Sequence, residues 1–153
     1  MPTFIHVVSP DVVDVLRREH ERVRQLCADL RGAGRDRQRL LLPALLHAVR
    51  LHLLGELAVV YPAVRDTAAD GDRISLASRT DDERLARSLI ELGRLDVRHA
   101  VFDDSFAAVT GALSAHAERQ EREEFPLLRS HVPVQRLHMM AGAMTDVRII
   151  ALM

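Results

Sequence analysis

Apolar residues recur at steps of three and four along most of this chain, the period of helices that bury one face. In the first such segment Val13, Leu16, His20, Val23, Cys27 and Leu30 share a face. Ser9-Pro10-Asp11 supplies its start, with a serine to cap, a proline whose missing N–H does no harm, and an acid against the positive helix end. Gly32-Ala33-Gly34 ends it. A second segment, from about Arg35 to Val64, aligns Leu45, Val49, His52, Glu56 and Val59, with Pro43 expected to kink its first part or mark its true start. After a connection over Asp66 to Asp72, a third runs from about Ile74 to Leu95 with Ser78, Asp82, Leu85, Leu89 and Leu92 inward. The fourth, roughly Ser105 to Arg129, shows Phe106, Val109, Leu113, His116, Gln120 and Leu127.

A Met-rich segment after Val132-Pro133 carries Leu137, Met140, Met144, Val147, Ile150 and Leu152, a spacing that reads as packing against the other helices, with a homodimer contact as the other reading. No stretch alternates as a strand does. Four long helices and a tail predict an all-α fold, an up-down-up-down four-helix bundle over about 9–130 with an extra C-terminal helix over about 133–150, in one domain.

Composition narrows the functional classes. The 153 residues are 48% hydrophobic and 28% charged but only 3% aromatic, a helix-favouring mixture of globular type. The formal charge is −1 with acids and bases interleaved, so neither nucleic acid nor an anionic membrane is an expected partner. The one cysteine, Cys27, excludes a disulfide framework within the chain and a Cys-rich zinc cluster, and reads as a small core hydrophobe. The first nine residues lack a basic stretch followed by a sustained apolar one, and no uninterrupted apolar run reaches the roughly 18 residues of a membrane span. A cytoplasmic protein is expected.

The candidate chemistry lies in a repeated phrase. The second segment reads His52-Leu-Leu-Gly-Glu56-Leu-Ala-Val-Val-Tyr61-Pro62-Ala-Val-Arg65, and the fourth reads His116-Ala-Glu-Arg-Gln120-Glu121-Arg-Glu-Glu124-Phe125-Pro126-Leu-Leu-Arg129. Each has a histidine nine residues before an aromatic-proline pair and an arginine three after the proline, and the copies are offset by 64. His20 and Asp82 are likewise matched, each followed by apolar residues at plus three, seven and ten. Every helix of the bundle therefore turns a candidate ligand inward: His20, His52 with Glu56, Asp82, and His116 with Gln120 or Glu121. Burying so many ionisable groups without partners would cost several kcal/mol per charge, a cost that a bound cation removes. Imidazoles and carboxylates without thiolate suit iron, manganese or zinc. His6, His47, His99, His131 and His138 lack a matching inward carboxylate and read as ordinary hydrogen-bonded histidines. Tyr61 reads as an aromatic plug at a helix end, with a redox-active neighbour of the metal as the other reading.

With these motifs the chain resembles the hemerythrin-like, or HHE cation-binding, family over roughly Ser9 to Arg129. Glu19-His20-Glu21, His52 with Glu56, Tyr61-Pro62, and His116 with Phe125-Pro126 carry the resemblance. It implies a four-helix bundle holding two iron ions, with O2, peroxide or nitric oxide as small-molecule partners. Two positions depart from the family pattern. Asp82, with Glu83 beside it in poorer register, stands where a third-helix histidine is implied. Gln120 stands where a glutamate is implied, so that Glu121, or less directly Glu124, would supply the fourth helix's carboxylate. The implied ligand set is His20, His52, Glu56, Asp82, His116 and Glu121, around two non-haem irons, with zinc or manganese as alternatives. A carboxylate-enriched set is closer in character to sites that activate O2 than to reversible carriers. The expected function is that of a diiron oxidoreductase, an oxidase, oxygenase or peroxidase acting on a small molecule. A non-catalytic iron or oxygen sensor or carrier, and a metal-free helical interaction module, are the competing readings.

Overall fold

The computed structural model describes residues 9–67 and 70–153, and among these the chain forms five helices and no strand. Helix α1 is Val12–Arg31. Helix α2 runs Arg35–Thr67, α-helical over Arg35–Gly55 and Tyr61–Thr67 with a wider π-helical turn over Glu56–Val60 between them. Helix α3 is Gly71–Arg94. Helix α4 is built like α2, with Phe102–Arg119 and Phe125–His131 flanking a π-helical turn over Gln120–Glu124. Helix α5 is Val134–Leu152. His6 lies outside the described residues.

The start of α1 is set by Asp11, with Ser9 and Pro10 lying ahead of the cap. Asp11 Oδ1 accepts from the Asp14 N–H (2.9 Å) and Asp14 Oδ2 accepts from the Asp11 N–H (3.1 Å), a reciprocal capping box. Arg129, from the end of α4, reaches Asp11 and Asp14 at 3.2 and 3.1 Å and ties the two helix ends together. Pro43 neither starts α2 nor interrupts it, since the exposed position leaves the carbonyl it cannot pair open to solvent.

The two π-helical turns begin at Glu56 and Gln120, positions offset by the same 64 residues as the repeated phrase. Each ends just before an aromatic-proline pair. Pro62 and Pro126 have no N–H to close an α-turn, and their rings press on the carbonyl four residues back, so the helix widens and the N–H of Tyr61 or Phe125 bonds five residues back. The extra residue per turn advances the register by one. Val60 and Leu128 are therefore fully buried, while Val59 and Leu127, expected inward, are only half-buried.

Helix α1 packs on α2, α2 on α3, and α3 on α4, while α5 lies across α1 and α2. Apolar side chains collect in two clusters. One joins Leu26, Leu30, Leu45, Leu89 and Phe106 at one end of the bundle. The other joins Val13, Leu16, Tyr61, Phe125, Leu137 and Met144 at the opposite end, where α5 docks. In α5, Leu137, Met140 and Met144 are buried, but Ile150 and Leu152 run out into solvent. The α2 stretch is long and apolar enough to cross a membrane by length and composition alone. Here it forms a wall of the bundle and carries His52, Glu56 and Tyr61 inward.

Candidate metal centre

Between the two apolar clusters lies a layer of buried polar side chains: Glu19 and His20 from α1, His52 and Glu56 from α2, Ser78 and Asp82 from α3, and His116, Gln120 and Glu124 from α4. Helical spacing places them there. His52 and Glu56, or His116 and Gln120, stand one turn apart on one face, and the widened turn then swings Glu124 inward as well.

Within this layer one ligand atom each from His20, His52, Glu56 and His116 lies within 4.8 Å of the others. The three imidazoles share one arrangement. His20 directs Nδ1 to Glu121 (3.0 Å), His52 directs Nδ1 to Glu19 (3.1 Å), and the His116 Nδ1 faces Asp82 Oδ1 at 3.4 Å. The Nε2 atoms of His52 and His116 meet the same oxygen of Glu56, the latter at 2.9 Å. The Nε2 of His20 faces Gln120 Oε1 at 2.8 Å. An outer nitrogen on a carboxylate with the inner nitrogen presented to the interior is the arrangement that orients imidazoles around a metal.

On the α3 side the layer is richer in oxygen. Tyr61 is buried, and its hydroxyl lies 2.5 Å from both Glu56 Oε2 and Asp82 Oδ2. One hydroxyl proton cannot serve two ionised carboxylates, so a second proton is shared there or a cation replaces it. Asp82 carries that proton in the metal-free protein, because burial and the negative charge of Glu56 push its carboxyl up to about 9. Burial and the flanking carboxylates raise Tyr61 as well. Glu124, almost fully buried, accepts from the Ser78 hydroxyl and is pushed up by burial and by Glu56. Burial opposes charge on Glu56 itself, yet His52 and His116 outweigh it and hold this carboxylate well below its ordinary value. Burial likewise opposes charge on His52, but Glu56 and Glu19 raise it to about 10. His20, disfavoured by burial and by His52, is lowered and stays neutral.

The residues present fit a cation. His52 Nε2, His116 Nδ1, Asp82 Oδ1, Gln120 Nε2 and Glu124 Oε2 are all buried without a well-formed hydrogen bond, which is costly unless something else satisfies them. Neutral imidazole nitrogens and carboxylate oxygens, with no sulfur, form a donor set for iron, manganese or zinc.

Of the six expected ligands, the structure brings His20, His52, Glu56 and His116 into one group. Asp82 stands beside that group, linked through Tyr61 and facing His116. Glu121 does not join it. Its side chain sits at the rim, 24% exposed, between His20 and the Arg24 guanidinium 3.3 Å away. Glu83 stays on the exposed face of α3. Glu19 is absent from the expected set, although it stands beside His20 in the stretch that carries the family resemblance. It is buried because α5 covers it, bringing Arg148 to within 2.9 Å of Glu19 Oε1. Of the histidines outside the layer, His47, His99 and His131 are exposed, and His138 is half-buried with its ring 3.3 Å from the Pro10 carbonyl.

Comparisons with known proteins agree with this picture. The family model described as the hemerythrin HHE cation binding domain matches residues 11–128. A crystal structure of a hemerythrin HHE cation binding domain-containing protein from Mycobacterium kansasii superposes with a TM-score of 0.80 at 21% identity, covering 94% of this chain and 90% of that one. A search of curated proteins gives no significant match. The family match spans most of the chain and includes all four helices that meet at the buried layer, so this protein belongs to the hemerythrin HHE cation-binding domain family.

Proposed function

We propose that this protein is a non-haem diiron enzyme that binds or activates O2, peroxide or nitric oxide and acts as an oxidase, oxygenase or peroxidase on a small molecule. The observation that supports the reading most directly is the set of three imidazoles with inner nitrogens turned toward Glu56 or Gln120, two of which, His20 and His52, have the outer nitrogen on a carboxylate. His20, His52 and His116 would be the nitrogen ligands, with Glu56 the carboxylate shared between the two halves of the centre. Asp82 and Glu124 would complete the oxygen-rich half. On this reading Glu121 and Glu19 orient imidazoles and do not themselves ligate, which reassigns Glu121 from the sequence-derived set.

Iron bound there would supply redox equivalents and an open coordination position for a small oxidant. The chain's own residues handle protons. Asp82 holds one in the metal-free protein, and the Tyr61 hydroxyl connects its Oδ2 to Glu56 Oε2. With iron bound and Asp82 ligating it as a carboxylate, the Tyr61 hydroxyl would still hold one proton between Glu56 and Asp82, beside a site whose reduction of O2 or peroxide consumes protons. The apolar clusters on either side close the layer off toward both ends of the bundle, which strengthens the charge interactions within it.

Protein produced in iron-rich medium should contain close to two irons per chain and show near-ultraviolet ligand-to-iron absorption. Anaerobically reduced protein should oxidise rapidly on mixing with O2 or peroxide. Stoichiometric zinc with no iron uptake would refute the proposal, and a stable reversible O2 adduct would convert the assignment from enzyme to carrier.

A further inference from the structure

The seam between α1 and α4 is the loosest in the bundle, because α1 packs mainly on α2 and α5 while α4 packs mainly on α3. It contains a cavity of about 180 Å³. The imidazoles of His20, His52 and His116 form part of its lining and, being buried, mark its inner end. Val23, Cys27, Leu113 and Ala117 give it apolar walls. Arg31 and Thr110 belong both to this cavity and to a wider open groove of about 470 Å³, so the cavity continues to the surface past these two side chains.

The two arginines along this route differ. Arg24 is engaged by Glu121. Arg31 has no carboxylate partner among the described residues, and its side chain is near enough to Cys27 for its charge to act on the thiol. The route therefore has an uncommitted cation at its outer end, apolar walls along its middle and the candidate ligands at its inner end. A cavity of roughly 150 Å³ accommodates a benzene-sized body. Cys27 lies seven residues beyond His20 on α1, which is about 10 Å along the helix axis. O2 or peroxide alone would need neither that volume nor that charge.

We infer that this seam admits the organic substrate, and that the substrate is a small organic anion: a carboxylate held at Arg31 on an apolar body of about six to eight non-hydrogen atoms lying against Val23, Cys27, Leu113 and Ala117. The inference deepens the proposed enzymatic role and rests on it, since the far end of such a molecule would lie against the imidazoles that are the candidate ligands.

Benzoate and its uncharged isostere benzamide test it, with binding to the iron-loaded chain followed by ligand-observed nuclear magnetic resonance and iron content measured on the same samples. Benzoate should bind at least about tenfold more tightly than benzamide, and R31Q should remove that preference without changing iron content. S114W, at an exposed position lining the cavity, should block both probes while leaving iron in place. Equal binding of the two probes to the native chain, or benzoate binding that survives both R31Q and S114W, would overturn the inference while leaving the diiron reading standing. Arg31-dependent benzoate binding in a chain that takes up no metal would retain the anion pocket and discard the diiron reading.

Discussion

Glu19→Gln separates an orienting carboxylate from a structural one. Glu19 is buried, and its Oε2 accepts from the outer nitrogen of His52 at 3.1 Å. Glutamine keeps the shape and can still accept that hydrogen bond, but it removes the charge that makes the imidazole a better donor to a cation. Loss of such an outer partner typically weakens metal affinity by about 10- to 100-fold, or roughly 1.4 to 2.8 kcal/mol. A second effect opposes the first. His52 is held protonated in the metal-free protein, with its value raised to about 10 by Glu56 and Glu19 against the cost of burial, and that proton must leave before a metal can bind. Removing Glu19 lowers the competition, most of all at low pH. The affinity deficit of Glu19→Gln should therefore be largest near pH 8.5 and narrow near pH 6.5. Titration with Co(II) against a competing chelator measures both ends of that range. Because His52 is still protonated at pH 8.5, the refuting result is a deficit that does not widen between pH 6.5 and 8.5.

The same layer should make the metal-free protein sensitive to alkali. Asp82 and His52 have folded values of about 9 and 10 against ordinary values of 3.8 and 6.5. A raised value confers stability that is fully present below the ordinary value and lost as pH rises through the folded one. Chemical denaturation of metal-free protein should show stability falling between pH 6.5 and 10, and metal loading should flatten that fall; a metal-free profile that is flat or rising would contradict it. Tyr61→Phe should cost the metal-free protein about 1 to 3 kcal/mol, because two buried carboxylates lose their shared hydroxyl, and less once a cation satisfies them. Thermal midpoints of both forms check this, and equal losses would mean that the hydroxyl does not stand in for the metal. Gly71→Ala should destabilise both forms alike by about 1 to 3 kcal/mol, since a Cβ there would fall on the carbonyl oxygens of Val64 and Arg65, which are backbone and cannot step aside. An unchanged melting temperature would show that the link between α2 and α3 yields.

The period of apolar residues makes the helices and their inward faces legible as far as Glu56 and Gln120. Beyond them it fails by one residue, for a physical reason. A helical period carried through a widened turn keeps the wrong phase, so it points to Val59 and Leu127 where Val60 and Leu128 are buried. Pro62 and Pro126 hold the missing signal, because a proline deep in a helix must release or re-route a carbonyl. The same phase error bears on Glu121 and Glu124. With an ordinary turn Glu121 is a near neighbour of the inward face, but the π-helical turn leaves it at the rim and buries Glu124. His52, Glu56 and His116 are legible because the duplicated phrase marks them ahead of the widened turns, and His20 because α1 keeps an ordinary pitch throughout. Glu19 is not, since its burial comes from a helix more than a hundred residues away.

The polar layer has a mechanical consequence. Each end of the bundle is held by tightly interlocked hydrocarbon, whereas the waist between them is held by hydrogen bonds that are partly unmade and by two helical turns of irregular pitch. Without a cation, amide hydrogens around Glu56 and Gln120 should exchange with solvent sooner than those of the helical stretches packed in either apolar cluster. Ion binding would then act as a rivet, and the molecule would stiffen from its middle outward.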